Sequence, residues 1–105
     1  MTGLSTHVLD LGEGRPAEGV TVTLERSVDG GWQQVGAGVT DGNGRVAALG
    51  VALGSGVYRL VFATGDTGNR FFPEVHLVVD IDEAEEHYHV PLLLSPFGFS
   101  TYRGS

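Results

Sequence analysis

His87-Tyr88-His89-Val90-Pro91-Leu92-Leu93-Leu94-Ser95-Pro96, continued by Phe97-Gly98-Phe99-Ser100-Thr101-Tyr102-Arg103-Gly104-Ser105, is the stretch from which the fold is read. Tyr88, Val90, Leu92 and Leu94 alternate with His87, His89, Pro91 and Leu93. That two-residue period predicts a strand with both histidines at its start on one face. Ser95 and Pro96 interrupt the run, and proline cannot donate to a ladder, so a turn or bulge is expected there. A second short strand is predicted over 97–103. Tyr102, Arg103, Gly104 and Ser105 follow the alternation without a polar, frayed tail, so the α-carboxylate is expected in a defined position.

The same alternation recurs upstream. Over 4–11, Leu4, Thr6 and Val8 share one face and Ser5, His7 and Leu9 the other. Over 20–25, Val20, Val22 and Leu24 alternate with Thr21, Thr23 and Glu25, the pattern of a half-buried strand. Asp29-Gly30-Gly31 is a hairpin signal before a return strand over 32–38. Asp41-Gly42-Asn43-Gly44 is a second turn, with two glycines able to take positive φ. Strands are predicted over 45–49, 57–62 and 74–81, with a glycine-rich stretch at 50–56 and a turn at 64–69. Residues 80–86 hold five carboxylates but lack the spacing and central glycine of a calcium loop, and are expected to be a solvated turn. Eight amphipathic strands predict an all-β chain folded as an antiparallel two-sheet β-sandwich.

Composition narrows the chemistry. A length of 105 residues fits a single domain spanning 1–105. Cysteine is absent, which excludes disulfides, thiolate zinc sites and a cysteine nucleophile. All six basic residues are arginines, so lysine Schiff-base chemistry is excluded as well. Six basic against thirteen acidic side chains give a net charge of −7, which argues against nucleic acid or an anionic membrane as partner. No apolar run approaches the roughly 20 residues of a membrane span, and Met1 leads into a predicted strand rather than a signal peptide. A cytoplasmic location is the expectation.

Four histidines are present. His76 alternates out of the apolar face of its strand and reads as a surface residue. His87 and His89 sit on one side of their strand, about 7 Å apart at the backbone for a rise of ~3.3 Å per residue. That spacing suits zinc as well as acid–base chemistry, with His7 or an acid as a third ligand. Spacing alone leaves both open.

The closing block His-Tyr-His-Val-Pro-Leu-Leu-Leu-Ser-Pro and the ending Tyr-Arg-Gly-Ser resemble the 5-hydroxyisourate hydrolases, the enzymatic branch of the transthyretin-like family. Leu4-Ser5-Thr6-His7-Val8-Leu9-Asp10, Gly14-Arg15-Pro16-Ala17, Tyr58-Arg59-Leu60 and Phe72-Pro73-Glu74-Val75 extend the resemblance over nearly the whole chain, in order. It implies a transthyretin-like hydrolase domain that opens a ring amide of 5-hydroxyisourate in urate degradation, as a homotetramer without cofactor or metal. It implies catalytic roles for His7, Arg45, His89 and Ser105, and substrate contacts from His7, Arg45, Tyr102, Arg103 and Gly104. The same family contains transthyretin proper, so small-ligand binding without catalysis is the alternative. Two departures stand out. The family's short helix before the Phe-Phe-Pro block has only 64–70 to form in, and is expected to be missing or cut to one turn. Phe97 and Phe99 stand where tyrosine is common.

Overall fold

The computed structural model describes residues 1–104; Ser105 lies outside the described residues. Among the described residues, nine strands form two sheets. They are β1 (Thr2–Asp10), β2 (Arg15–Pro16), β3 (Thr21–Val28), β4 (Gly31–Val39), β5 (Arg45–Leu53), β6 (Gly56–Phe62), β7 (Val75–Ile81), β8 (His87–Ser95) and β9 (Gly98–Thr101). One sheet runs β2-β1-β8-β9, with β5 also paired to β1; the other runs β4-β3-β6-β7. The expected sandwich is present. The strand absent from the sequence reading is the two-residue β2, whose Pro16 left no alternation to detect.

One pair departs from the antiparallel expectation. β1 and β8 run parallel, Gly3 opposite His87 through Asp10 opposite Leu94. A parallel neighbour needs a long crossover, and here the crossover includes the entire second sheet. β5 also runs further than its sequence suggested, to Leu53, with register shifts against β1 near Leu4. Those irregularities let a glycine-rich stretch remain a strand where continuous alternation is lost.

The core forms where the inward sets of alternating residues meet. Leu4 and Val8 of β1, Val22 and Leu24 of β3, Tyr58, Leu60 and Phe62 of β6, and Leu92 of β8 are all nearly or fully buried. Two polar groups among them are matched: Thr6 Oγ1 donates to the Val90 carbonyl at 2.6 Å, and Tyr58 Oη to the Gly54 carbonyl at 2.8 Å. Burying such groups costs little once they are hydrogen bonded. The family helix is reduced to a single 3-10 turn, Thr64–Thr67, as the shortened segment predicted. Residues 82–86 form an exposed turn knit by Asp82, whose carboxylate accepts the Ala84 N–H at 2.9 Å.

Two turns fix the strands that matter for the site. Ser95 opposite Gly98 leaves Pro96 and Phe97 as the two-residue connection from β8 to β9. At the start of β5, one Asp41 carboxylate oxygen accepts the N–H groups of Asn43, at 2.9 Å, and Arg45, at 3.0 Å. Gly44 follows with φ 74°, and its carbonyl accepts the Val8 N–H at 2.7 Å. An added Cβ at Gly44 would strike the Val8 carbonyl oxygen. Positive φ and this close approach together require glycine there, and the result is a turn stitched directly onto β1.

Candidate active site

The inward positions of β1 and β8 are taken by the core, so Ser5 and His7 of β1 and His87 and His89 of β8 point to the outer side of the sheet. The parallel register places Ser5 opposite His89 and His7 opposite Pro91, while β5 places Arg45 opposite His7. Three strands thus deliver Arg45, His7 and His89 to one surface. The rings of His7 and His89 lie 6.5 Å apart between centroids, with planes inclined by 40°. Ser5 Oγ is 2.7 Å from His89 Nδ1 and 2.8 Å from His87 Nε2. His7 and His89 are half-buried; Arg45 and His87 are exposed.

Arg45 owes its place to the turn before it. The two backbone N–H bonds to Asp41, first from Arg45 and then from Asn43, hold that carboxyl below its ordinary value. Asp41 therefore stays ionised and keeps the turn closed in mildly acidic solution. Across the site, His89 is held below the ordinary histidine value, first by partial burial and then by the nearby charges of Arg45, His7 and His87. A ring in this position is neutral at neutral pH and able to accept a proton.

The closing residues take three different positions. Gly104 donates its N–H to the His89 carbonyl at 2.7 Å and forms a bridge with that residue. That bridge continues the β8–β9 register, which sets Tyr102 opposite Pro91, in the same row as His7 and Arg45. Tyr102 is exposed. Arg103 turns the other way: its guanidinium lies 4.3 Å over the Tyr88 ring and 3.7 Å from Glu85. In a single chain it is therefore apart from the histidines. Ser105, expected at the site, lies outside the described residues.

Sequence reading passed over Ser5 and Asp41. Alternation already put Ser5 beside His7, but its contact with two histidines depends on the β1–β8 register, which alternation does not reveal. Asp41 was legible only as a turn residue. Among the described residues no three His, Asp or Glu side chains converge as a metal-binding group. His87 and His89 aim ring nitrogens at the Ser5 hydroxyl instead.

Gly104 has a direct consequence. A Cβ at this position would lie 2.7 Å from His89 Cδ2, so Gly104→Val is expected to push the imidazole out of line. Turnover should fall by about tenfold or more, since misplacement by an ångström is costly in an oriented site. Melting temperature should move by only a few degrees, because the strand contacts remain. Parent-like turnover in that variant would show that the tail does not orient His89.

A model of the family described as HIUase/Transthyretin matches residues 4–104. The chain belongs to that family. Within it, the chain is 49% identical over 109 residues to the 5-hydroxyisourate hydrolase of Salmonella typhimurium, covering 97% of this chain and 80% of that protein. Among solved structures it is similar to Klebsiella pneumoniae 5-hydroxyisourate hydrolase, with TM-score 0.87 and 40% identity over 100% of both chains. It is also similar to sea bream transthyretin in complex with thyroxine, with TM-score 0.89 and 34% identity over 97% of this chain and 94% of that one. Within the HIUase/transthyretin family, then, the backbone fits a hydrolase and a thyroxine binder about equally well. The side chains on the outer face of the β1–β8 sheet have to decide between them.

Proposed function

We propose that the chain, as a single domain over 1–105, is a 5-hydroxyisourate hydrolase acting in urate degradation, with its site on the outer face of the β1–β8 sheet. The observation that carries this reading is the convergence of His7, His89 and Arg45, from three strands, with a gap between two imidazoles whose centroids lie 6.5 Å apart. A carrier that only holds a small molecule has no need of a neutral imidazole beside a fixed cation.

Ring opening requires water to lose a proton, a carbonyl oxygen to take up negative charge and a ring nitrogen to leave protonated. A water in the gap can hydrogen bond to both rings at about 2.9 Å. His89, kept neutral by its surroundings, accepts its proton as the oxygen attacks the amide carbon. Arg45 offers a permanent charge and a planar donor fork to the carbonyl oxygen, where negative charge builds. The proton then passes to the leaving nitrogen, and His7 holds the water or shares that transfer. Tyr102 and Gly104 border the substrate and Ser105 completes the tail, while Arg103 is turned away onto Tyr88 and Glu85. No cofactor is needed for these steps.

The experiment is the loss of absorbance of freshly generated 5-hydroxyisourate with and without protein, together with its spontaneous decay in buffer. Saturable acceleration supports the hydrolase. Binding of the compound or of thyroxine without acceleration would identify a carrier.

The same reading calls for more than one copy. The site lies on an open sheet face, and charge stabilisation of this kind is strongest where solvent is excluded. Phe97 is 84% exposed at the β8–β9 turn, and Phe71 and Phe99 are exposed beside it. Such aromatics suit an interface, and a symmetric homotetramer would roof the site with a second sheet. Light scattering is expected to give four times the 11.1 kDa chain mass. A monomeric mass with full activity would overturn this part. The described residues hold no helix long and apolar enough to cross a membrane, and the metabolic role fits the cytoplasm.

A further inference from the structure

Ser5 Oγ stands between two imidazoles, 2.7 Å from Nδ1 of His89 and 2.8 Å from Nε2 of His87. A hydroxyl carries one proton. With both rings neutral, Ser5 donates to one of these nitrogens, and the other contact holds only if that nitrogen brings its own N–H. The two rings are therefore tied to the same tautomer, both Nδ1–H or both Nε2–H, through a single oxygen. In one arrangement His89 Nδ1–H donates to Ser5, Ser5 O–H donates to His87 Nε2, and His89 Nε2 is bare. In the other, the bonds are reversed and His89 Nε2 carries the hydrogen. Only the first leaves His89 able to take a proton from water.

We propose that Ser5 and His87 are positioning residues that hold His89 as its Nδ1–H tautomer and present a bare Nε2 to the water. This rests on the hydrolase reading above. The arrangement is built into the backbone. Parallel pairing sets Gly3 opposite His87 and Ser5 opposite His89, so serine and both rings share one face. A Cβ on Gly3 would lie 2.8 Å from His87 Nδ1, so glycine keeps the seat of that ring open. Gly104 closes on His89 from the opposite side.

Among the described residues, the charged and titratable groups facing His89 are Arg45 from β5, His7 from β1 and His87 from its own strand; Arg103 of the tail is turned towards Glu85. None of the three facing groups is an acid, so the ring rests neutral, the state in which its tautomer matters. When His89 takes the water's proton on Nε2, its Nδ1–H still points at Ser5 and nothing has to rearrange. Passing that proton to the leaving nitrogen restores the starting tautomer. The oxygen of Ser5 accepts throughout and never bonds to substrate.

The test combines a spectroscopic and a kinetic readout. Nitrogen-15 NMR of the parent protein at neutral pH should show His89 protonated at Nδ1 and bare at Nε2. Ser5→Ala should lower kcat by on the order of tenfold or more, a part of what general-base catalysis supplies, while KM changes little. Ser5→Thr should restore most of the loss because it returns the hydroxyl. His87→Gln, whose amide oxygen can accept from Ser5, should be far less damaging than His87→Phe. A His89 protonated at Nε2 in the parent protein would overturn the proposal, as would parent-like kcat in a folded Ser5→Ala. If the parent protein fails to accelerate 5-hydroxyisourate loss, the hydrolase reading falls, and the NMR result still decides the tautomer on its own.

Discussion

His89→Asn is expected to lower kcat by about two to four orders of magnitude, the usual worth of a positioned acid–base group. The fold should survive. His89 lies on the outer face of β8, while Tyr88 and Val90 on either side carry the buried contacts. The substitution removes one side-chain hydrogen bond, to Ser5, worth about 1 kcal/mol. Asparagine still fits beside Gly104, and the backbone bond between the two residues is untouched. Steady-state kinetics and thermal melts on the same preparations check both halves. The companion His7→Asn separates the roles. If His7→Asn abolishes turnover while His89→Asn retains most of it, the base is His7, and partial burial of His89 serves another purpose.

The second large effect is expected at Arg45. Arg45→Gln should reduce kcat/KM by about two to three orders of magnitude, comparable to removing a donor that stabilises developing negative charge. Arg45→Lys should recover only part of this, because a point charge on a flexible stem lacks the planar fork. The backbone of residue 45 is held by its N–H bond to Asp41 and its pairing with His7, and both substitutions leave those contacts in place. A loss in kcat/KM is therefore a loss of the guanidinium itself. Full activity in Arg45→Gln would leave the carbonyl oxygen without its partner and would contradict the mechanism.

Alternation alone separated the inward and outward residues of β1, β3, β6, β7 and β8. It grouped Leu4, Thr6 and Val8 on one face of β1 and His7 on the other, and the structure finds the first set inside and His7 on the outer side. The shortened segment after β6 likewise gave away the loss of the family helix, because seven residues with two glycines cannot hold one. Pairing was the hidden part. No local signal says that β1 lies beside β8, or that the two run parallel, since that follows from how the second sheet packs between them in sequence. The partners of Ser5 depend entirely on that register. The orientation of Arg103 was within reach. Alternation through Tyr102, Arg103 and Gly104 sends the middle residue inward, and the structure finds it on Tyr88. The motif resemblance grouped the tail as one unit, whereas strand geometry divides it.

The central claim is that a neutral His89, kept so by burial and by the cation beside it, serves the chemistry on this face. The pH dependence of kcat/KM tests it most directly, because that ratio reports the free enzyme's own groups. A depressed pKa leaves the working, unprotonated form in place above the ordinary histidine value of about 6.5 and for some way below it. The rate should therefore be level through neutrality and fall only as acid protonates the ring, with a midpoint below about 6.5. Removing the Arg45 charge in Arg45→Gln should move that midpoint upward within the residual activity, because one cause of the depression is gone. An acid limb centred above 6.5, or one that does not move when Arg45 is neutralised, would contradict the assignment of His89 as the base beside Arg45.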